Sequence, residues 1–218
     1  MTKKMLNKTS NILLKNTKDT KLSIQFNLGG FSFCISETLS NKIVYFSEYL
    51  FEEIQTTPEN LLLKIKEIFK KDTHLQHDFS SVLVIHQNNL ATLVPNKYFN
   101  EDNLIDYLNF NVKTLVTDFI AFDTLETVEA KNVYVPYINI NNYLFQNFGE
   151  FHYKHALSVF IEKLIKKENY INKTMFVNVS KTTLDIVVLH NKNLVLSNSF
   201  LKNWFLTPLS STRSIWRF

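Results

Sequence analysis

Glycine is almost missing from this chain, which has three in 218 residues against a usual share of roughly 7%. Loops that cradle phosphates rely on glycine, because the backbone must approach the anion closely and often at positive φ. Only Gly29-Gly30 can serve in that way. No Walker-type loop and no dinucleotide-binding Gly-x-Gly-x-x-Gly stands in the sequence. Cysteine is scarcer still. Cys34 is alone, which excludes an internal disulfide and a cysteine-based metal cluster. It lies in the strand-like Phe31-Ser32-Phe33-Cys34-Ile35 and reads as a buried, inert thiol. No run of about 18 apolar residues exists, so no membrane span is expected. The N-terminus has neither the apolar stretch nor the small-residue cleavage site of a signal peptide, and a cytoplasmic location follows as the expectation. Arginine is nearly absent too, with both copies, Arg213 and Arg217, in the last six positions. Aromatic residues without interleaved arginines do not make a stacking platform, and a formal charge of +4 is mild. No nucleic-acid partner is expected.

What is present is the composition of a folded protein, 45% apolar and 20% charged, with 19 Phe and nine Tyr. The length suits one large domain or two small ones. Residues 1–20 are rich in Lys, Asn and Thr and read as a disordered basic tail. From Leu22 the pattern is β: Leu22 to Phe26 alternates, Gly29-Gly30 turns, and Phe31 to Ile35 alternates back. Lys42 to Phe46 supplies a third strand. Thr57-Pro58-Glu59 starts a helix, whose apolar face is Leu61, Leu62, Ile65, Ile68 and Phe69. Val82 to Ile85 is a continuous apolar run, as in a strand covered on both faces. Ala91 to Pro95 is a further strand. A helix is expected from Asn100 to about Asn109, with strands at Asp118 to Phe122 and Val133 to Val135. A long helix is expected over roughly Glu150 to Lys167, striped by Tyr153, Ala156, Leu157, Phe160, Ile161, Leu164 and Ile165.

Two short stretches carry one pattern. Phe26-Asn27-Leu28-Gly29-Gly30 and Val177-Asn178-Val179-Ser180-Lys181-Thr182-Thr183-Leu184-Asp185 each read as an apolar strand running into a tight polar turn. The first resembles the apolar-Asp-x-Gly-small phosphate hairpin of the actin, sugar-kinase and heat-shock-chaperone superfamily. The second resembles that superfamily's apolar-Asp-x-Gly-Gly-Gly-Thr-x-Asp. Residues 20–200 as a whole look like a bacterial family known as domain of unknown function 3822. The segments that carry this resemblance are Leu22-Ser23-Ile24-Gln25, Thr92-Leu93-Val94-Pro95, Val133-Tyr134-Val135-Pro136, Phe148 to His155 and Asn198-Ser199-Phe200. The resemblance implies an α/β fold of duplicated ribonuclease-H-like (actin-like ATPase) domains. The repeat of three strands after a long helix agrees with it, and the second domain reads as incomplete. The expected division is a tail at 1–20, a first actin-like half at 21–147, a linking helix and the start of a second half at 148–200, and an atypical segment at 201–218. That last segment holds both arginines and both tryptophans and reads as a frameshift or truncation product.

Departures from the superfamily pattern set the functional expectation. The resemblance places Mg²⁺-coordinating aspartates where Asn27 and Asn178 stand, and an amide supplies neither the charge nor a base. Ser180-Lys181-Thr182 replaces the glycines of the second turn, while Thr183 and Asp185 keep their identities. The candidate site is therefore a pair of vestigial phosphate hairpins, formed by Asn27, Gly29, Gly30, Asn178, Thr183 and Asp185. No catalytic residue and no metal ligand are assigned, and no cofactor is expected. The leading expectation is a pseudo-ATPase acting as a non-catalytic adaptor or scaffold for an unidentified protein partner. The alternative is a nucleotide-binding or slow ATPase protein that takes ATP with Mg²⁺. His74-x-x-His77 and His152-x-x-His155 have helical spacing for a metal pair, but neither has a third ligand in view, and surface or boundary histidines are the plainer reading.

Overall fold

Alternating apolar residues dictate most of this structure, a computed structural model that describes residues 2–9, 19–115, 117–167 and 172–201. The chain divides into two compact units. The first takes the residues up to His86 together with Tyr137–Lys154, and the second takes Gln87–Pro136 and the residues from His155 onward. Two segments that are separate in the sequence thus build each unit, and the expected boundary at 147/148 falls inside the first unit's second segment.

The first unit is built on a six-stranded sheet. Its strands are β1 (Thr2–Thr9), β2 (Thr20–Asn27), β3 (Gly30–Glu37), β4 (Ile43–Phe51), β5 (Ser81–His86) and β9 (His152–His155), in the order β1-β4-β3-β2-β5-β9. β2, β3 and β4 form an antiparallel meander, and β5 joins β2 in parallel. Residues 2–9 were expected to be a loose tail, yet they pair antiparallel with β4 from Thr2↔Phe51 to Thr9↔Tyr45. An open strand edge offers a row of backbone donors and acceptors whatever the side chains beside it, so an apolar pattern is not needed. The remainder of the expected tail, residues 10–18, lies outside the described residues.

One face of this sheet is apolar, with Leu22, Ile24, Phe26, Phe31, Phe33 and Ile35 all buried. Helix α1 (Pro58–Lys71) and helix α3 (Ile138–Phe148) supply further buried residues, Leu61, Ile65, Ile68 and Phe69 from the first and Ile140 and Leu144 from the second. α1 begins as its sequence predicts. Thr57 caps it by accepting the Asn60 amide at 3.3 Å, Pro58 occupies the first turn, and Lys70-Lys71 lie at the negative end of the helix dipole. Beyond its C-terminus the buried Asp72 accepts a short hydrogen bond from the Tyr49 hydroxyl and another from His74 Nδ1 at 2.9 Å, while the His74 ring stacks on Tyr45. Gly30 is set by packing. A Cβ there would lie 2.9 Å from the Tyr49 carbonyl oxygen on the neighbouring strand.

The second unit has two three-stranded sheets. One is β6 (Ala91–Pro95), β8 (Ala130–Tyr134) and β7 (Ala121–Leu125), in the order β6-β8-β7, beside the short helix α2 (Leu104–Asn109). The other is β10 (Thr174–Val179), β11 (Thr183–His190) and β12 (Asn193–Leu201), an antiparallel meander. Helix α4 (Ala156–Lys167) places Leu157, Ile161 and Ile165 in one core with Leu125, Val187 and Leu189. Asn191 and Lys192 both adopt the left-handed conformation, φ 50° and 63°, so β11 and β12 are joined by a two-residue turn of the type that matches strand twist. β12 runs through Leu201, and residues 202–218, nearly all of the atypical segment, lie outside the described residues.

The expected helix from Glu150 begins only at Ala156, because His152–His155 form a strand. Tyr153 belonged to the apolar stripe by spacing alone. The His152/His155 pair is therefore not on a helix. His155, read as a surface or boundary histidine, is buried and accepts the Leu157 amide at Nδ1 (3.2 Å). Its Nε2 lies 3.1 Å from the Asn88 carbonyl oxygen, which assigns the proton to Nε2. Beside it Asp123 accepts the His155 amide at 2.8 Å and the Tyr134 hydroxyl at 3.2 Å. Burial drives the His155 pKa down from 6.5 to about 4, against the Asn88 carbonyl, which pulls it up.

Two outcomes follow from this packing. Gly30→Ala should destabilise the protein by about 1–3 kcal/mol, read as a lower urea midpoint, because the Tyr49 backbone cannot yield as a flexible side chain would. For His155, the unfolded chain takes up its proton near pH 6.5 and the folded one only near pH 4. The stability it protects is complete above about pH 6.5 and falls by about 3 kcal/mol as the pH drops to about 4. NMR titration should show the His155 ring remaining neutral until the pH approaches 4.

Candidate functional site

The first hairpin joins β2 to β3, with Asn27 opposite Gly30. The Asn27 side-chain oxygen accepts the Gly29 amide at 2.7 Å, a local turn typical of asparagine. The carbonyls of this turn are engaged as well. Leu28 accepts from the Gln55 amide at 2.7 Å and Gly29 from the Phe51 amide at 3.0 Å. Asn27, Gly29 and Gly30 thus come together in the first unit, as a turn whose glycine at position 30 answers to the neighbouring strand.

The second hairpin joins β10 to β11 and gathers Asn178, Thr183 and Asp185, all buried. Asn178 and Asp185 are cross-strand partners, and Asn178 Nδ2 donates to Asp185 Oδ2 at 2.9 Å. The other carboxylate oxygen receives the Ser199 hydroxyl of β12 at 2.7 Å. Burial pushes the Asp185 pKa above its ordinary value, and these two hydrogen bonds oppose the rise. At the tip, Ser180 Oγ accepts the amides of Thr182 at 3.1 Å and Thr183 at 2.8 Å, and the Ser180 amide donates to the Thr183 carbonyl at 2.9 Å. The serine hydroxyl therefore stands where an anion would have to receive those amides.

Ser180 and Ser199 complete the hydrogen bonding of the second hairpin and were not among the candidate site residues. Ser180 carried a signal, since a serine two and three residues before backbone donors is the pattern of a side-chain-closed turn. Ser199 carried none by itself; its role depends on the register that sets it opposite Asp185. The two polar clusters outside the hairpins, Tyr49-Asp72-His74 in one unit and Asp123-Tyr134-His155 in the other, are held within their own units. Among the described residues no group of three or more His, Cys, Asp or Glu side chains is arranged to hold a metal ion. Among the described residues no helix is long and apolar enough to cross a membrane.

Comparison with known proteins fits this architecture. A crystal structure from Bacteroides thetaiotaomicron VPI-5482, a protein with an actin-like ATPase fold and unknown function, is similar over 88% of this chain and 74% of that one. The TM-score is 0.78 and the identity 20%. A structure of the PilM-PilN type IV pilus biogenesis complex is similar over 82% of this chain and 60% of that one, with a TM-score of 0.50 and 12% identity. At such identities the likeness carries the fold alone. No curated protein matches by sequence. A family model, protein of unknown function (DUF3822), matches residues 9–203. The mixed sheets and helices are those of the actin-like ATPase fold, and the chain belongs to the DUF3822 family.

Proposed function

We propose that this protein is a non-catalytic adaptor or scaffold on an actin-like fold, working in the cytoplasm on a protein partner. The observation that carries the proposal is the closed second hairpin. Its tip amides are received by the Ser180 hydroxyl, and both oxygens of Asp185 are engaged by Asn178 and Ser199. A phosphate would have to displace hydrogen bonds already made, and Mg²⁺ would meet amides where it needs carboxylates. The two meanders support a duplicated, ribonuclease-H-like origin. β10-β11-β12 repeats the connectivity of β2-β3-β4, with an asparagine on the first strand of each, while the second meander has no described counterpart to β5. Likeness to a protein of a pilus biogenesis complex agrees with a partner-binding role.

The rival is a nucleotide-binding or slow ATPase protein, which the retained Thr183 and Asp185 favour. Thermal unfolding separates the two. Millimolar Mg-ATP should leave the melting temperature unchanged. A ligand at 100 times its Kd would add about 2.7 kcal/mol, a visible rise. Such a rise, with ATP hydrolysis that disappears in Asp185→Ala, would overturn the adaptor proposal.

A further inference from the structure

The stretch between β6 and β7 departs from the rest of the chain in charge and in what it leaves exposed. Residues 96–120 hold Glu101, Asp102, Asp106 and Asp118 against Lys97 and Lys113, while the whole chain carries +4. Its apolar residues divide into two sets. Leu104, Tyr107, Leu108 and Val112 turn inward and pack with Val94 and Val133. Phe110, Leu115 and Phe119 are instead 86%, 64% and 53% exposed. Hydrogen bonds fix the loop that holds them out. The Asn111 and Val112 amides donate to the Leu108 carbonyl, and the Thr114 hydroxyl donates to Asn109 Oδ1 at 2.7 Å. Asn111 Nδ2 reaches the Thr92 hydroxyl of β6 at 3.1 Å, and the Leu115 amide donates to the Asp118 carboxylate at 2.8 Å. Phe110 and Leu115 thus adjoin the two ends of one hydrogen bond, and Phe119 follows the residue that holds Leu115.

We infer that α2 and the loop after it form a docking face for a basic amphipathic helix of a partner protein. Phe110 ends α2 in helical conformation, φ −66° and ψ −34°, so it lies one turn beyond Asp106 on the same side of the helix. Asp102 and Ile105, three residues apart, are exposed as well. Among the described residues neither Glu101, Asp102 nor Asp106 forms an ion pair. Acids at a helix start are accounted for by the helix dipole, but an aromatic ring held in solvent is not. Charge selects the occupant. Carboxylates set among apolar side chains repel an anionic lipid surface, a nucleic acid and the same face of a second copy. They favour lysine or arginine set among apolar residues. An arginine there would lie over the Phe110 ring and reach the Asp106 carboxylate one turn away, as Lys97 already lies over the Tyr98 ring at 4.5 Å. The backbone of α2 is bonded within itself, so this face takes a helix side by side and not an added strand. A loop fixed in advance also lowers the ordering cost of binding.

This inference rests on the adaptor reading in taking a protein as the ligand. The two fail separately, because Mg-ATP reports on the second hairpin and a peptide reports on α2. The test is selection, against the full chain, from a displayed library of helix-forming peptides of about 14 residues, roughly four turns. Recovered peptides should carry Lys or Arg together with Leu or Phe at helical spacing. Bound as synthetic peptides, they should shift the amide resonances of Ile105 to Leu115 and bind more weakly as salt rises. Phe110→Ser should weaken them by about tenfold or more and leave the urea midpoint unchanged, since the ring stands in solvent. Asp106→Lys should weaken them too, and exchanging the peptide's basic residues for glutamate should restore part of the binding to that variant. The same exchange should abolish binding to the unaltered protein, which keeps the test valid even if a variant fails to fold. The inference is overturned if no such peptide family is recovered, or if binding ignores these changes. A urea midpoint lowered by Phe110→Ser would overturn it as well, because another part of this chain would then cover the ring. Concentration-dependent self-association that Phe110→Ser removes would assign the face to a second copy and overturn it equally.

Discussion

The amides of Thr182 and Thr183 share one acceptor, the Ser180 hydroxyl, and that hydroxyl governs what the second hairpin can do. A tight turn leaves backbone donors that need a partner. Glycine at such a turn leaves them open to an anion, whereas serine closes them from within. Once closed, the turn is stable without a ligand, and the neighbouring Asp185 settles into the same economy. It is buried, hydrogen-bonded by Asn178 and Ser199, and its ionised form is disfavoured by desolvation. The carboxylate is a tie among three strands.

The same logic runs through each unit separately. In the first, Asp72 joins β4 to the turn after α1 through Tyr49 and His74. In the second, Asp123 receives the Tyr134 hydroxyl and the His155 amide, linking β7 and β8 to the residue that leads into α4. Buried polar groups are costly alone and specific when satisfied. These contacts give each unit fixed points that an apolar core by itself would leave more permissive.

Much of the fold was legible in the sequence where local chemistry and tertiary packing agree. The β2-β3 hairpin, the Thr57 cap and the apolar face of α1 are examples. α3 was missed because its asparagines at 139, 141, 142 and 147 are weak helix formers, although Ile140, Leu144 and Gly149 carried the spacing and the terminating glycine. The strand at His152–His155 was absorbed into the following helix because Tyr153 happens to continue the stripe of α4. Strand β1 was illegible for a different reason, since its pairing depends on the open edge of β4 rather than on its own residues. Of the candidate site, the hairpin residues could be named from the sequence. The closing of the turn by Ser180 and the reach of Ser199 could not, because they depend on rotamer and cross-strand register.

The turn at Asn191-Lys192 carries more than the reversal of the chain. Two successive left-handed residues without glycine are an uncommon arrangement, and they define how many residues separate β11 from β12. Side chains on a strand change face at every step, so a slip of one position would swing the Ser199 hydroxyl to the far side of the sheet. Asp185 would then keep only the Asn178 amide. The tip of one hairpin is in this sense a ruler for the other, setting opposite a buried carboxylate a hydroxyl fourteen residues further along the chain.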